Sequence, residues 1–442
     1  MDNKIRVAII GAGPAGLYAA AKLADEGYSV AVFNKDIKPG GMAEYGIYPE
    51  KHTLKNGLRK QFQRILSCNT VYYFGNIHVG QDREVSISSL LDWGFSAVLI
   101  CCGAQGTKWL GIPGEDLEGV IHAKDLVFHY NHLPPYGKAR MEIGKQVVIV
   151  GAGNVMADVT RYLLTLPQVE KIHICVRRGP AEVKFTQKEL EYIISGYDIE
   201  ALKQEITRVT PMMEALGQSP EKEVEQYLTA FGKTEKTERN PIIHMHFLVS
   251  PIEMQGDENG RVRLLKLEEN TLVKKEQTIS ARGSGTFRFM EADTVIFAIG
   301  DKVEEDLGVP VKWNDYAHSE KPHYPISDIS YEIEDPQTGE PSKGLFVAGW
   351  SREASSGLVG NAKKDGVNAA QAIALYLAGE PPEGGISIPE LERKMAGQHN
   401  PVVRNTDLER LLEIEQQRTQ ENPLANGKFL TNEEMLQVMG LL

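Results

Sequence analysis

The chain has 442 residues, 42% hydrophobic and 24% charged, with a formal net charge of −12. That length exceeds what one hydrophobic core serves, so two domains are expected in an otherwise ordinary globular composition. The acidic balance argues against a general nucleic-acid binder. No apolar run approaches the ~20 residues of a membrane helix, so neither nucleic acid nor membrane is an expected partner.

The opening, MDNKIRVAIIGAG, enters a strand directly, without the apolar core and cleavage site of a signal peptide. The expected location is therefore cytoplasmic. The stretch IRVAIIGAGPAGLYAAAKLADEGYSVAVF then reads as strand, tight turn, helix and strand. Gly11 permits the turn, Gly13 lets backbone approach a pyrophosphate, and Gly16 lets helix pack on strand, with Ala15 inside the same turn. A helix N-terminus there offers N–H groups to phosphate. The pattern predicts a dinucleotide site, which, beside the second nucleotide unit described below, can be that of FAD. The acid usually found about 20 residues further on is replaced by Asn34, which can bond a ribose hydroxyl without bringing charge. Asp36, two residues further, could substitute for that acid but is expected to face solvent. The Gly- and Pro-rich loop after it, containing Gly41, has the length of a functional loop and suits covering a flat cofactor, before the chain turns helical at about Leu54.

The four cysteines are Cys68, Cys101, Cys102 and Cys175. None forms C-x-x-C, so no dithiol relays electrons, and no Cys/His cluster has metal-ligand spacing. Cys101 and Cys102 lie in the apolar run SAVLICCGA, where buried strand cysteines are expected. A crossover between domains is expected near Gln105–Lys108.

A second glycine unit follows, KQVVIVGAGNVMADVTRYLLTLPQVEKIHICVRRGP. Gly151 and Gly153 fill the first two glycine roles. Met156 stands at the third, which should displace the helix slightly or move the close contact to Ala157. At the end of the second strand, Arg177 and Arg178 stand where an acid would select a free 2′-hydroxyl. Two guanidiniums suit a 2′-phosphate, so NADP is the expected second nucleotide. Further on come a charged helical region at about 214–238 and strands around an Asn259–Gly260 turn. ADTVIFAIGD is an apolar strand similar in character to SAVLICCGA. One such strand at each crossover suggests that the NADP domain is inserted into the FAD domain. The expected class is α/β with two Rossmann-like domains: an FAD domain over 1–106 and 302–442, and an NADP domain over 107–301. A strand, a loop and a helix near KGLFVAGWSREASSGLVGNAKKDG close the FAD domain. The amides after Gly357 are placed to face a flavin ring. Two capping boxes, Thr406–Glu409 and Thr431–Glu434, open helices in the tail.

Several stretches together carry a resemblance: GAGPAGLYAA, GIYPEKHTLKN, WLGIPGEDLEGVIHAKDLVFHYN, GAGNVMADVTRYLL, VRRGPAEVKFTQKELEYI, VAGW with SSGLVG, and GKFLTNEEMLQVMG. The chain resembles the adrenodoxin reductase-like NADPH–ferredoxin reductases, within the glutathione reductase-type flavoproteins. The resemblance implies an FAD enzyme that oxidises NADPH and reduces a small electron-transfer protein such as a ferredoxin. It places Asn154 and Val155 at the pyrophosphate and Glu189 beside the nicotinamide ribose. Asp158 matches an acid linked through a histidine to the flavin region. Gly349, Trp350, Gly357, Leu358 and Val359 match the loop beside the isoalloxazine. The family histidine falls on Lys51, and His52, one position later, is the candidate replacement. Glu191 stands where some relatives carry a docking arginine, and the residues after it are acidic or mixed. Docking of a strongly acidic ferredoxin there is disfavoured, and Lys55, Arg59 and Lys60 on one predicted helix are the alternative basic patch. A second reading is the electron-input subunit of a larger complex, similar to the glutamate synthase small subunit. That family usually adds an N-terminal iron–sulfur domain, and this chain opens on the first glycine strand.

Overall fold

A computed structural model describes residues 4–232, 241–275, 278–379, 384–421 and 427–442. The chain divides into two compact units. The first is Met1–Thr107, Phe128–Ala139 and Gly300–Leu442, and the second is Lys108–Val127 with Arg140–Ile299.

The first unit is built on a six-stranded sheet. Five of its strands run parallel, in the spatial order Pro341–Val347, Ala97–Ile100, Val7–Ile10, Val30–Asn34 and Val71–Gly75. Glu332–Glu334 adds an antiparallel edge to Pro341–Val347. The strands are apolar runs because both faces are covered. Val7, Ile9, Val30, Val32 and Leu99 point into one core, with Leu17 and Ile373 from the covering helices. Ala8, Ile10, Ala31, Phe33, Val98 and Ile100 point into the other. Each buried Val, Leu or Ile side chain contributes roughly 1.5–3 kcal/mol of burial.

The second unit repeats the plan in a five-stranded sheet, all parallel: Ile242–Phe247, Lys171–Val176, Gln146–Val150, Thr294–Phe297 and Val120–His122. A three-stranded antiparallel sheet, Val249–Gly256, Val262–Lys275 and Thr278–Glu291, belongs to the same unit. Its first turn is the one expected from Asn259–Gly260. Gly260 has φ +77°, and Asp257 Oδ1 accepts from the Asn259 and Arg261 amides at 2.9 and 3.0 Å.

Four expectations need correction. Phe128–Ala139, inside the span expected for the second domain, belongs to the first unit, because Phe128 and Leu133 pack on Tyr45. The helix expected from Leu54 begins at His52. The charged helical region is the helix Pro220–Phe231 after the end of Ile199–Glu214, and its expected continuation over 233–238 lies outside the described residues. In the tail, the Thr431–Glu434 capping box forms. The other does not: its helix starts at Asn405, and Asp407 reaches back to the Arg404 amide at 2.8 Å.

Candidate functional site

The first glycine turn shows which of its glycines the fold itself requires. Gly11 has φ +103°, and a Cβ there would meet Cys101 O at 2.5 Å. A Cβ on Gly16 would meet Gly11 O at 2.1 Å. Gly13 is different. Its φ is −77°, open to any residue, and a Cβ there would meet nothing within 4 Å. Neither backbone nor packing demands glycine at 13. It keeps clear the space in front of the helix Pro14–Asp25, whose N-terminus has no side-chain cap and no acid in its first turn. That uncapped end, including Ala15, suits an anion.

Asn34 holds this turn together. Its Oδ1 accepts from the Ala12 amide at 2.9 Å. Its Nδ2 donates to Asp36 O, Lys38 O and the Tyr73 hydroxyl at 2.9, 3.1 and 3.2 Å. The expected ribose contact therefore competes with a side chain already committed at both ends. Asp36 is half-buried rather than fully solvent-facing, and desolvation pushes its carboxyl up to about 6. Gly40 donates to Ala12 O at 2.7 Å. Gly41, at φ +48°, lies so close that a Cβ would stand 3.2 Å from Gly13 Cα.

The Trp350 loop is set against the same turn. A Cβ on Gly349 would stand 2.7 Å from Ala15 Cβ, and one on Gly366, in the helix Val359–Gly379, 2.1 Å from Ala15 O. Asp365 on that helix accepts from the Gly349 amide at 2.6 Å and from Arg352 at 2.7 Å. Trp350 Nε1 donates to Ser356 O at 2.8 Å, closing the loop on itself. Gly357 and Leu358 are exposed and Val359 half-buried. Apolar Leu358 stands 65% exposed.

In the second unit, Gly151 and Gly153 repeat the division of labour. Gly151 has φ +123° and would clash with Ala298 O at 2.3 Å, whereas a Cβ on Gly153 would meet nothing within 4 Å. Met156 is fully buried, its sulfur accepting from Thr160 Oγ1. The third position is thus filled by core. The segment after the arginines folds back over the turn: the Lys184 amide donates to Ala152 O at 2.9 Å, and the Thr186 amide donates to Asn154 Oδ1 at 3.1 Å. Thr186 then caps the helix Gln187–Ile193 by accepting from the Glu189 amide. So Asn154, Glu189 and the turn are brought together. Val155 and Arg177 are exposed, while Asp158, Arg178 and Glu189 are half-buried. Neither arginine side chain has an ion-pair partner among the described residues. Glu191 is half-buried and engaged.

The alternative basic patch does not form. Lys55 is buried. It donates to Asn131 Oδ1 at 2.7 Å and Ile47 O at 3.1 Å, and burial, then the Lys428 ammonium, bring it down to about 7. Arg59 is held by both oxygens of Glu44, at 2.6 and 2.7 Å. Only Lys60 of the three is fully exposed, and His52 is an exposed first-turn residue of the same helix. Sequence reasoning missed the reason. Glu44 is the centre of a buried charge cluster, 2.9 Å from Lys428, 3.6 Å from Lys38 and joined to Arg59. Burial alone would raise the Glu44 carboxyl, but these cations hold it well below the usual range. Lys38 also meets Glu415 at 2.5 Å. The partners are up to 377 residues apart in the chain, so no local pattern reveals them.

The model of the pyridine nucleotide-disulphide oxidoreductase family matches residues 5–321, across both glycine units. The chain belongs to that family. Among curated pyridine nucleotide-disulphide oxidoreductase relatives, it is 30% identical to the NADPH-ferredoxin reductase FprA of Mycobacterium leprae over 407 residues, covering 84% of each chain. It is 29% identical to the mitochondrial NADPH:adrenodoxin oxidoreductase of Arabidopsis thaliana, covering 81% of this chain and 79% of that one. The structure superposes on Mycobacterium tuberculosis FprA in complex with NADPH at a TM-score of 0.81 and 24% identity, covering 98% and 99% of the two chains. The family name refers to disulphides, but all four cysteines here are free. Burial raises the Cys101 and Cys102 thiols, Cys101 well above its ordinary range.

Proposed function

We propose that this chain is an NADPH-dependent FAD oxidoreductase that reduces a small iron–sulfur protein of the ferredoxin type. The observation that supports the reading is the pair Gly13 and Gly153, each at the uncapped start of a helix after a glycine turn and each with nothing within 4 Å of a Cβ. The relatives' names supply the class of donor and acceptor.

FAD fits the first unit. Gly11, Gly13, Ala15 and Gly16 would hold its pyrophosphate at an uncapped helix end, with Gly41, Gly349, Trp350, Gly357, Leu358 and Val359 beside it. NADP fits the second, with Gly151, Gly153, Asn154 and Val155 at the pyrophosphate and Arg177 with Arg178 at the 2′-phosphate. Bound flavin supplies the chemistry that joins a two-electron nicotinamide donor to a one-electron acceptor.

The chain's own residues bind and orient. Thr186 and Asn154 fix the segment that carries Glu189 against the second turn. Asp365 fixes the Trp350 loop. Asp158, Glu189 and His52 are the polar groups proposed near the reacting atoms. No helix among the described residues is long and apolar enough to cross a membrane, and a cytoplasmic location is part of this proposal.

The test is direct. Purified protein is reconstituted with FAD, and NADPH-driven reduction of ferricyanide and of a ferredoxin panel is followed. About one FAD per chain and turnover of both acceptors is the expected result. A protein that cannot take up FAD would overturn the reading.

A further inference from the structure

The most exposed large apolar side chain among the described residues is Trp313, at 88%. It sits at the tip of a small antiparallel hairpin, Val311–Lys312 with Asp315–Tyr316. Trp313 has φ +64°, and Asn314 is absent from the positive-φ residues. That combination is the turn that favours glycine at its first central position. Positive φ is uncommon for any residue with a side chain and is an outlier for a bulky one. A tryptophan here is therefore poor for folding and poor for solubility. Among the described residues, none makes a ring contact or hydrogen bond with it.

The base of the hairpin is rigid. Tyr316 is 1% exposed, and its hydroxyl donates to Glu304 O at 2.8 Å. The Val303 amide donates to Asn314 O at 2.9 Å, and the Ala317 amide to Pro310 O at 2.8 Å. Asp315 Oδ1 accepts from the amide of Ala354. Ala354 lies inside the Trp350 loop. The exposed ring is thus mounted, through one hydrogen bond, on the loop proposed to lie beside the flavin.

We propose that Trp313 is the anchor on which the iron–sulfur electron acceptor docks. The inference rests on the functional reading above. Tryptophan is enriched among residues that carry binding energy, and a preformed anchor loses little freedom on binding. On the hairpin, Lys312 pairs with Glu320 at 2.8 Å and the Asp315 carboxylate takes the Ala354 amide. The hairpin thus offers no free cation beside the ring. It suits an acceptor held by apolar contact at the ring. The helix patch at Lys55 and Arg59 offers no substitute, since both are committed internally.

Trp313→Gly tests this, because glycine suits the turn and should fold at least as well. FAD-loaded wild type and variant are compared for NADPH-driven reduction of ferricyanide and of a panel of [2Fe–2S] and [4Fe–4S] ferredoxins, at two salt concentrations. The expected result is unchanged ferricyanide turnover and about a ten-fold or greater rise in KM for the best ferredoxin. Trp313→Phe should recover part of it, and the wild-type KM should change little with salt. An unchanged ferredoxin KM in Trp313→Gly overturns the docking proposal and leaves the functional reading standing. Wild type that reduces no ferredoxin overturns both. Sedimentation of wild type as a dimer that Trp313→Gly dissolves, with ferredoxin KM unaltered, would assign the ring to a second copy of this chain and overturn the proposal.

Discussion

The carboxylate of Asp365 meets the guanidinium of Arg352 at 2.7 Å while its other oxygen takes the Gly349 amide at 2.6 Å. Both side chains are largely buried, 8% exposed for Arg352 and 15% for Asp365. Removing one member of a buried pair costs about 3–5 kcal/mol when the other charge is left alone, and less here, because Glu353 stays 3.0 Å from Arg352. Asp365→Ala should therefore lower the urea midpoint moderately and loosen the Trp350 loop, with loss of FAD on gel filtration. Asp365→Asn keeps an acceptor for Gly349 and should retain more FAD. Wild-type stability and full flavin content in Asp365→Ala would show that the clasp does not hold the loop.

Two glycine variants separate folding from binding. Gly366→Ala puts a Cβ 2.1 Å from Ala15 O, backbone that cannot yield cheaply. It should melt well below wild type. Gly13→Ala meets no protein atom within 4 Å and should melt normally without cofactor, yet bind FAD at least ten-fold more weakly. Circular dichroism melts and flavin titration read the two effects. Tight flavin binding by Gly13→Ala would mean that the pyrophosphate lies elsewhere.

Much of this was legible in advance for a physical reason. Gly11, Gly16 and Gly151 sit in stretches where strand, turn and helix are consecutive, so local pattern carries the geometry. Arg177 and Arg178 were legible because they follow a strand end. Lys55 and Arg59 were misjudged because helical spacing tells which residues share a face, not what buries that face. Their partners, Asn131 and Glu44, lie 76 and 15 residues away. Asp365 was missed because its partners are a backbone amide and an arginine on a preceding loop, and no motif spacing records them.

The 2′-phosphate role proposed for the arginine pair predicts the coenzyme preference. Losing one charged contact to phosphate costs roughly 1.5–3 kcal/mol. Arg177→Ala and Arg178→Ala should each raise KM for NADPH by about ten- to a hundred-fold, leaving NADH almost unchanged. Equal losses with both coenzymes would show that the pair does not recognise the 2′-phosphate.

Acid should weaken the second unit. His173 Nδ1 and His246 Nε2 are 3.0 Å apart, sharing one proton. Burial, with His244 beside it, brings His173 down to about 4. Burial and Arg288 bring His246 to about 3. Unfolded histidines titrate near 6.5, so below that pH the unfolded chain takes up protons that the folded one refuses. The contribution of this histidine pair should be level above about 6.5 and fall as pH drops toward 4. Urea midpoints at several pH values measure the slope, which His246→Asn should flatten. A slope unaltered by that change would place the acid sensitivity in other groups.

The order in which the two units appear along the chain has a consequence for synthesis. Every residue of the second unit has been made once Ile299 is added. The first unit then still lacks the strand Pro341–Val347, which pairs with Ala97–Ile100, and the helix Val359–Gly379 that packs on Ala15. At about 5–20 residues per second, the ribosome needs several further seconds to supply them. During that interval the nascent chain carries a finished second unit and a first glycine turn without its cover. Flavin loading is then a late event, gated by translation of residues 341–379. Truncation upstream of Gly379 should yield nascent chains competent for the pyridine nucleotide alone.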